Sequence, residues 1–87
     1  MDVRFHPHAY ERLRERGATE DEVIATVISG ERFAAKYGRI CFRKYFSCRE
    51  PWRGRRYATK QVGAYAVEED GWFVITVIVK FIGESPL

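Results

Sequence analysis

The spacing of hydrophobic positions changes once along this 87-residue chain, from a helical period to an alternating one. Between residues 9 and 28, apolar side chains recur every three or four positions, which is typical of helices that bury one face. From Phe33 onward apolar and polar residues alternate, and aromatic and β-branched residues become common. The pattern predicts an α+β fold in which an N-terminal helical hairpin packs on one face of a twisted antiparallel β-sheet.

Local capping signals define the two predicted helices. Pro7 suits the first position of a helix, and Gly17 suits the left-handed residue that ends it. Thr19 and Glu22 have the spacing of a capping box, so a second helix is predicted to begin there and to end near residues 29–30. The apolar stripe of this second helix is predicted at Val23, Ile24, Val27 and Ile28.

Four segments after the helices have the composition of β-strands. They cover residues 33–36, 39–46, 57–68 and 72–82, and residues 3–5 form a short extended lead-in. The last segment is apolar on both faces, which predicts an interior position in the sheet. Residues 70–71 are Asp-Gly, a hairpin signal. A two-residue turn there would place Ala66 opposite Ile75, Ala64 opposite Val77 and Val62 opposite Val79.

Composition is typical of a single folded unit, and we expect one domain over residues 1–87. Hydrophobic residues make up 46% of the chain and aromatic residues 15%, enough to fill one core. No apolar run approaches the length of a membrane span or resembles a secretion signal, so no membrane contact and a cytoplasmic location are expected. The formal net charge is +3, and four arginines within residues 49–56 predict a local site for a phosphate-rich or acidic partner.

Two arginines and a histidine border the apolar seam of the first helix. At about 100° per residue, they fall beside Ala9 and Leu13 as the stripe His8, Arg12 and Arg16. Arginines in this position are expected to be partly desolvated and to need an anionic partner. In a structural explanation, Arg16 closes the helix against the sheet and His8 is a boundary histidine. In a functional explanation, the arginines hold a phosphate and His8 transfers a proton.

Two further groups of basic and aromatic residues have the chemistry of an RNA-binding surface. Residues 47–56, the arginine-rich segment, are predicted to form a loop, and RNA contacts are expected from Arg49, Trp52, Arg53, Arg55, Arg56 and Tyr57. The structural alternative is a solvated turn that Trp52 anchors to the core. The sheet face opposite the helices is predicted to carry Tyr57, Thr59, Gln61, Tyr65, Thr76 and Lys80. Ordinary cross-strand pairing is the alternative there. All three basic groups are expected to converge.

A set of short motifs resembles a known family. The motifs are His8-Ala9, Arg12, Arg16-Gly17, Glu22-Val23 in the capped helix, and Val74-Ile75-Thr76-Val77 in the terminal strand. They resemble the small prokaryotic family called the domain of unknown function 4258. That family is similar in architecture to the RelE/ParE-type toxin superfamily, in which two N-terminal helices pack on an antiparallel sheet. The resemblance covers nearly the whole chain and implies a single RelE-like domain, to which the arginine-rich segment is an addition.

The activity that this resemblance implies is that of a metal-independent endoribonuclease toxin, which cleaves RNA through attack by its own 2′-hydroxyl. The reaction needs a base, an acid and cations that stabilise the pentacovalent phosphate. His8 suits one proton transfer, and Arg12 and Arg16 suit the charge stabilisation, without a metal or another cofactor. RelE-type enzymes place catalytic basic and tyrosine residues mainly on the sheet and in the C-terminal region. The rival candidates are therefore Tyr65, Lys80 and Tyr57.

The sequence leaves several functions open. As the toxin of a toxin–antitoxin pair, the chain is expected to bind RNA and an antitoxin protein that covers the basic surface with an acidic or amphipathic segment. The alternative is a non-catalytic RNA- or protein-binding module on the same fold. DNA binding is less favoured, because neither helix presents a basic, exposed recognition face. The oligomeric state is not specified by the sequence.

Overall fold

The computed structural model describes residues 2–85. Met1 and Leu87, the first and last residues of the predicted domain, therefore lie outside the described residues. Within residues 2–85 the chain forms two α-helices and five β-strands around one core. The helices are α1 (Pro7–Arg16) and α2 (Glu20–Ser29). The strands are β1 (Val3–Phe5), β2 (Glu31–Ala34), β3 (Ile40–Ser47), β4 (Arg56–Glu68) and β5 (Trp72–Ser85). Their order in the sheet is β1-β5-β4-β3-β2, which places β5 in the interior as predicted.

The sheet is mixed, which corrects the expectation of an antiparallel sheet. Strands β2 to β5 pair antiparallel with one another, whereas β1, the predicted lead-in, runs parallel to β5. Parallel neighbours need a long crossover connection, and here nearly the whole domain lies between them in sequence. A three-residue strand is too short for its own alternation to reveal which neighbour it takes.

The predicted helix boundaries are confirmed. Pro7 begins α1, and Gly17 ends it in the left-handed conformation with φ of 84°. The Thr19 hydroxyl accepts a hydrogen bond from the Glu22 backbone N–H at 3.1 Å, and the Glu22 carboxylate accepts one from the Thr19 N–H at 2.9 Å. This reciprocal pair is the predicted capping box. Neither helix among the described residues is long and apolar enough to cross a bilayer.

Both helices pack on one face of the sheet and bury a single core. Its members are Ala9, Leu13, Ala18, Val23, Val27, Phe42, Val62, Ala64, Ala66, Trp72, Val74 and Val77. The apolar stripe predicted for α2 is wrong at Ile28, which is 60% exposed, because Thr26 is buried in its place. The Thr26 hydroxyl donates to the Glu22 carbonyl at 2.7 Å, so its burial leaves no unpaired hydroxyl.

The β4–β5 hairpin has the predicted register over most of its length. The confirmed pairs are Ala64 with Val77 and Val62 with Val79. Ala66 pairs with Val74 rather than with Ile75, because the turn contains three residues, 69–71, instead of two. A β-bulge next to Tyr65 leaves Ile75 as an extra residue in β5 and restores the predicted register beyond it.

Strand alternation gives the sheet two different faces. One lies beneath α1 and α2, and the other, which we call the open face, points away from both helices. The strand registers arrange its side chains in four rows. The first row is Phe33, Cys41, Tyr65 and Thr76; the second is Glu31, Arg43, Gly63 and Ile78; the third is Tyr45, Gln61 and Lys80; the fourth is Ser47, Thr59 and Ile82.

Candidate nucleic-acid interface

Arg16, at the end of the predicted cationic stripe on α1, is engaged with the sheet. It is half-buried, and its Nη1 donates a hydrogen bond to the Val77 carbonyl at 2.6 Å. Within the described residues β1 pairs only with residues 72–74 of β5. The edge of β5 that faces β1 therefore has no strand neighbour at Val77. Arg16 thus binds a neutral backbone carbonyl, a polar group that needs a partner when buried, instead of the expected anionic partner. This is the structural explanation foreseen for Arg16.

Arg12 and His8 lie toward solvent on α1. The Arg12 guanidinium pairs with the Glu15 carboxylate at 3.0 Å. The His8 side chain is 70% exposed, and its Nδ1 lies 3.8 Å from the Glu11 carboxylate. Its ring stacks on that of His6 with centroids 5.1 Å apart, and its backbone N–H donates to His6 Nδ1 at 3.1 Å, which caps α1. His8 is therefore not the boundary histidine of the structural explanation.

The arginine-rich segment contains a small hairpin instead of a purely irregular loop. Trp52 and Arg55 exchange backbone hydrogen bonds of 2.8 and 3.1 Å. Arg53 and Gly54 between them have positive φ angles of 53° and 77°, as in a type I′ turn. Gly54 suits this conformation, but arginine rarely adopts it, so only one of the two turn residues signals the turn in the sequence.

Trp52 anchors the arginine-rich segment to the core. Its ring stacks on Phe81 with centroids 5.5 Å apart and planes at 10°. The Arg53 guanidinium carbon lies 5.1 Å from the ring centroid, and a Cβ added to Gly17 would meet the ring at 2.9 Å. Protein contacts thus surround the indole that was expected to stack on a base, and the structural alternative describes Trp52 better.

The arginines of this segment divide into engaged and unengaged groups. Arg53 donates to a backbone carbonyl at the end of α1 at 3.1 Å, and Arg55 pairs with the Glu84 carboxylate at 3.1 Å. Within residues 2–85, Arg49 and Arg56 have neither a side-chain hydrogen bond nor an ion pair. Two of the four arginines therefore stabilise the segment itself.

Tyr57 lies on the helix side of the sheet, so its predicted place on the opposite face is wrong. Its ring centroid is 5.1 Å from that of Phe81. Phe81 pairs in register with Lys60, whose ammonium donates to the Gly17 carbonyl at 2.8 Å, so both point toward α1. Gly83 has a left-handed φ of 74° next to this region of β5 and interrupts the strand alternation.

An open groove of about 830 Å³ lies between the arginine-rich segment and the corner that joins the helices. Lys60 at its base is 2.8 Å from the Glu22 carboxylate, and both side chains are largely buried. Arg14 and Arg49 also line the groove. Its deepest cation is therefore already neutralised by the protein.

The open face combines accessible apolar side chains with cations that have no carboxylate partner. Four of its side chains are large, apolar and exposed: Phe33, Tyr45, Ile78 and Ile82. Lys80 lies among them in the third row, and Lys36 and Arg39 follow in the β2–β3 turn. Within the part of the chain that the structure describes, none of these three cations forms an ion pair.

The open face carries an excess of positive charge, whereas α2 carries an excess of negative charge. The helices α1 and α2 carry five carboxylates against three arginines, and α2 has no basic residue. The four rows of the open face and the β2–β3 turn carry Lys36, Arg39, Arg43 and Lys80 against the single carboxylate of Glu31. A polyanion is therefore attracted to the open face and repelled by α2.

Comparison with protein-family models, curated proteins and solved structures finds no match to this chain. The resemblance to the domain of unknown function 4258 family therefore stays a prediction. The RelE-like arrangement also stays a prediction, although this chain has two N-terminal helices on a sheet, as that arrangement requires.

Tyr65 occupies the first row of the open face, directly opposite Cys41 in register. Negative charge on the Cys41 sulfur raises the pKa of Tyr65, and a hydrogen bond to that sulfur and partial burial act in the same direction. A raised pKa makes the phenolate harder to form, so Tyr65 is a poorer general base. This favours a binding role for Tyr65 over that of a general base.

The sheet separates the predicted catalytic residues into two groups, so the expected convergence of all three basic groups is wrong, although the arginine-rich segment does contact the end of α1. His8, Arg12 and Arg16 lie on the helix side, whereas Tyr65 and Lys80 lie on the open face. Sequence reasoning missed the contributions of β2, β3 and their turn, which are Phe33, Tyr37, Arg39, Arg43 and Tyr45. The alternation of residues 39–46 was the signal that could have found them, because the odd-numbered residues of this strand lie on the same face of the sheet.

Proposed function

We propose that this chain is an RNA-binding module that holds unpaired RNA against the open face of its sheet. The observation that carries the proposal is the mixture, on one side of the sheet, of accessible rings and unpaired cations. Cations hold phosphates, and aromatic side chains stack on unpaired bases in a manner that tolerates many sequences. The residues assigned to this contact are Phe33, Arg43, Tyr45, Tyr65 and Lys80.

Single-stranded RNA fits this face better than a duplex does. Stacking on Tyr45 or Phe33 requires bases that are not already stacked in a helix. Duplex readers usually insert a basic helix into a groove, but the helices here lie on the opposite side and α2 is acidic. The open face also carries Thr59, Gln61 and Thr76, whose polar groups suit hydrogen bonds to a 2′-hydroxyl.

Endoribonuclease activity receives less support from the same geometry. Cleavage needs a base, an acid and cations around one phosphate. Arg12 is engaged with Glu15 and Arg16 with the Val77 carbonyl, and His8 lies across the sheet from Lys80. Cleavage, and with it the role of a toxin with an antitoxin partner, stays a prediction that the binding experiment tests in parallel.

The proposal is tested with fluorescence anisotropy of a short, unstructured, labelled RNA and the purified full chain. Lys80→Glu should weaken binding by roughly tenfold, because one attractive phosphate contact becomes a repulsive one. Arg14→Glu is the matched control, since it changes the net charge equally on the helix side and should leave the affinity within about twofold.

Equal losses in both variants would show non-specific attraction and overturn the proposal, and a larger loss in Arg14→Glu would move the interface to the groove. The same mixtures are analysed by denaturing gel. Intact RNA is the expected result, and cleavage that His8→Ala abolishes would replace the binding module with the endoribonuclease. Size-exclusion chromatography with light scattering provides a further check, because a stable dimer that excludes RNA would mean that a second copy covers the open face.

A further inference from the structure

A cavity of about 550 Å³ lies at the end of the open face, beneath the turn between β2 and β3. Aromatic side chains and cations contribute most of its functional groups: Phe33, Lys36, Tyr37, Arg39, Arg43 and Tyr65. Within residues 2–85, no carboxylate lines it. A cavity with rings and positive charge has the two features that a nucleotide requires, a flat apolar surface for the base and cations for the phosphate.

Tyr37 is the most exposed large hydrophobic side chain among the described residues, at 86%. Its backbone is in the left-handed region, with φ of 62° and ψ of 35°, where a tyrosine is uncommon. The Arg39 guanidinium carbon lies 6.0 Å from the centroid of its ring. Folding gains little from an exposed aromatic ring on strained backbone, so this position is better explained by a ligand that the ring contacts.

The cations around the cavity are poorly satisfied by the protein. Lys36 and Arg39 form no ion pair among residues 2–85. Arg43 lies over the Phe33 ring at 4.6 Å and contacts the Glu31 carboxylate at 3.4 Å, yet its Nε is buried with no hydrogen-bond partner in the described part of the chain. A buried donor without an acceptor is rare in folded proteins, and an anionic or carbonyl oxygen of a ligand would satisfy it.

We infer that this cavity is a binding site for one nucleotide, with the base against Tyr37 and the phosphate between Lys36 and Arg39. The inference rests on the proposed function and deepens it, because it assigns one subsite of the RNA interface. An internal nucleotide of an RNA strand and a free nucleoside monophosphate present the same base and phosphate. The subsite is distinct from the contact at Lys80, which lies two rows away along the open face.

The test uses the isotope-labelled full chain and records amide shifts while 5′-AMP, 5′-UMP or inorganic phosphate is added. Both nucleotides should shift residues 33–43 and Tyr65, and phosphate alone should act far more weakly. Tyr37→Asn should abolish the nucleotide response and weaken RNA binding at least about fivefold, because one stacked base is lost. Asparagine tolerates the left-handed conformation, so this variant is expected to keep its melting temperature. Tyr37→Trp retains a ring and should retain binding.

Three results would overturn the nucleotide site. They are an equal response to phosphate alone, shifts confined to other regions, and unchanged nucleotide and RNA affinities in Tyr37→Asn. Lys80→Glu separates this inference from the proposed function, since it should weaken RNA binding and leave mononucleotide binding intact. Binding of nucleotides without binding of RNA supports the cavity and contradicts the RNA module. Binding of RNA without any nucleotide response supports the module and contradicts the cavity.

Discussion

At Gly17 the end of α1, strand β5 and the arginine-rich segment pack closely against one another. It ends α1 with φ of 84°, and a Cβ at this position would lie 2.9 Å from both Phe81 and Trp52. Gly38 has a similar φ of 70° but open space around its Cβ position. The two glycines therefore separate the effect of backbone conformation from that of close packing.

Gly17→Ala is predicted to destabilise the fold much more than Gly38→Ala. Each substitution places a side chain on left-handed backbone, which costs about 1 kcal/mol, and the clash at Gly17 adds roughly 1–3 kcal/mol. Urea denaturation followed by circular dichroism measures both free energies of unfolding. Similar losses in the two variants would show that Trp52 and Phe81 do not pack on Gly17 as described.

Arg16 and Arg12 are a second matched pair, one turn apart on α1. Arg16→Met removes the hydrogen bond to the Val77 carbonyl, at the edge of β5 that has no strand neighbour in the described chain. It is predicted to reduce the free energy of unfolding by about 1–3 kcal/mol. Arg12→Met removes only an exposed pair with Glu15 and should change it by less than about 0.5 kcal/mol. Thermal and urea denaturation decide this, and a larger loss in Arg12→Met would contradict the assigned role of Arg16.

At the scale of elements, the arginine-rich segment has an ordered hairpin whose contacts face the protein. Composition alone favours RNA contact for this segment, because arginine and tryptophan are common at such interfaces. The structure instead stacks Trp52 on Phe81, a pairing that joins residues far apart in sequence. No local pattern predicts that stacking, and it changes the function assigned to the indole.

Trp52→Ala is predicted to lower stability and leave RNA affinity intact. Loss of a half-buried indole should reduce the free energy of unfolding by about 2–4 kcal/mol and expose residues 47–56 to proteolysis. RNA affinity, measured at a temperature where the variant is folded, should stay within about twofold. A large loss of affinity with unchanged proteolysis would mean that Trp52 stacks on a base after all.

The β4–β5 hairpin shows how far strand patterning extends. Two predicted pairs are correct because a longer turn and a β-bulge shift the register in opposite directions. Hydrophobic alternation specifies which residues of β4 face the helices, since one face must be buried. It does not specify the length of the turn, which depends on left-handed residues such as Asp70, with φ of 52°.

At the scale of the whole molecule, the sequence predicted the α+β class and the helical hairpin over a sheet. These follow from local periodicity and capping, which act within a few residues. It did not predict the parallel neighbour of β1 or the separation of Lys80 from Arg16, because both depend on which strands pair over long distances in the chain. The candidate interface was therefore only partly foreseen, through Tyr65 and Lys80.

Positive charge on the open face and negative charge on α2 link the fold to its proposed function. Sheet pairing collects Arg43 from β3 and Lys80 from β5 on the open face, whereas the acidic first turn of α2 lies on the other side. The carboxylates in the first turn also interact favourably with the helix dipole of α2. The same residues therefore stabilise the helix and repel a polyanion from it.

Photo-crosslinking of a thiouridine-labelled, single-stranded RNA, followed by mass spectrometry of the peptides, tests the open-face interface most directly. We predict adducts on the open face and its turn, at Tyr37, Tyr45 or Tyr65, and their loss when unlabelled RNA competes. Adducts confined to α1, to the groove or to residues 47–56 would contradict the proposed interface.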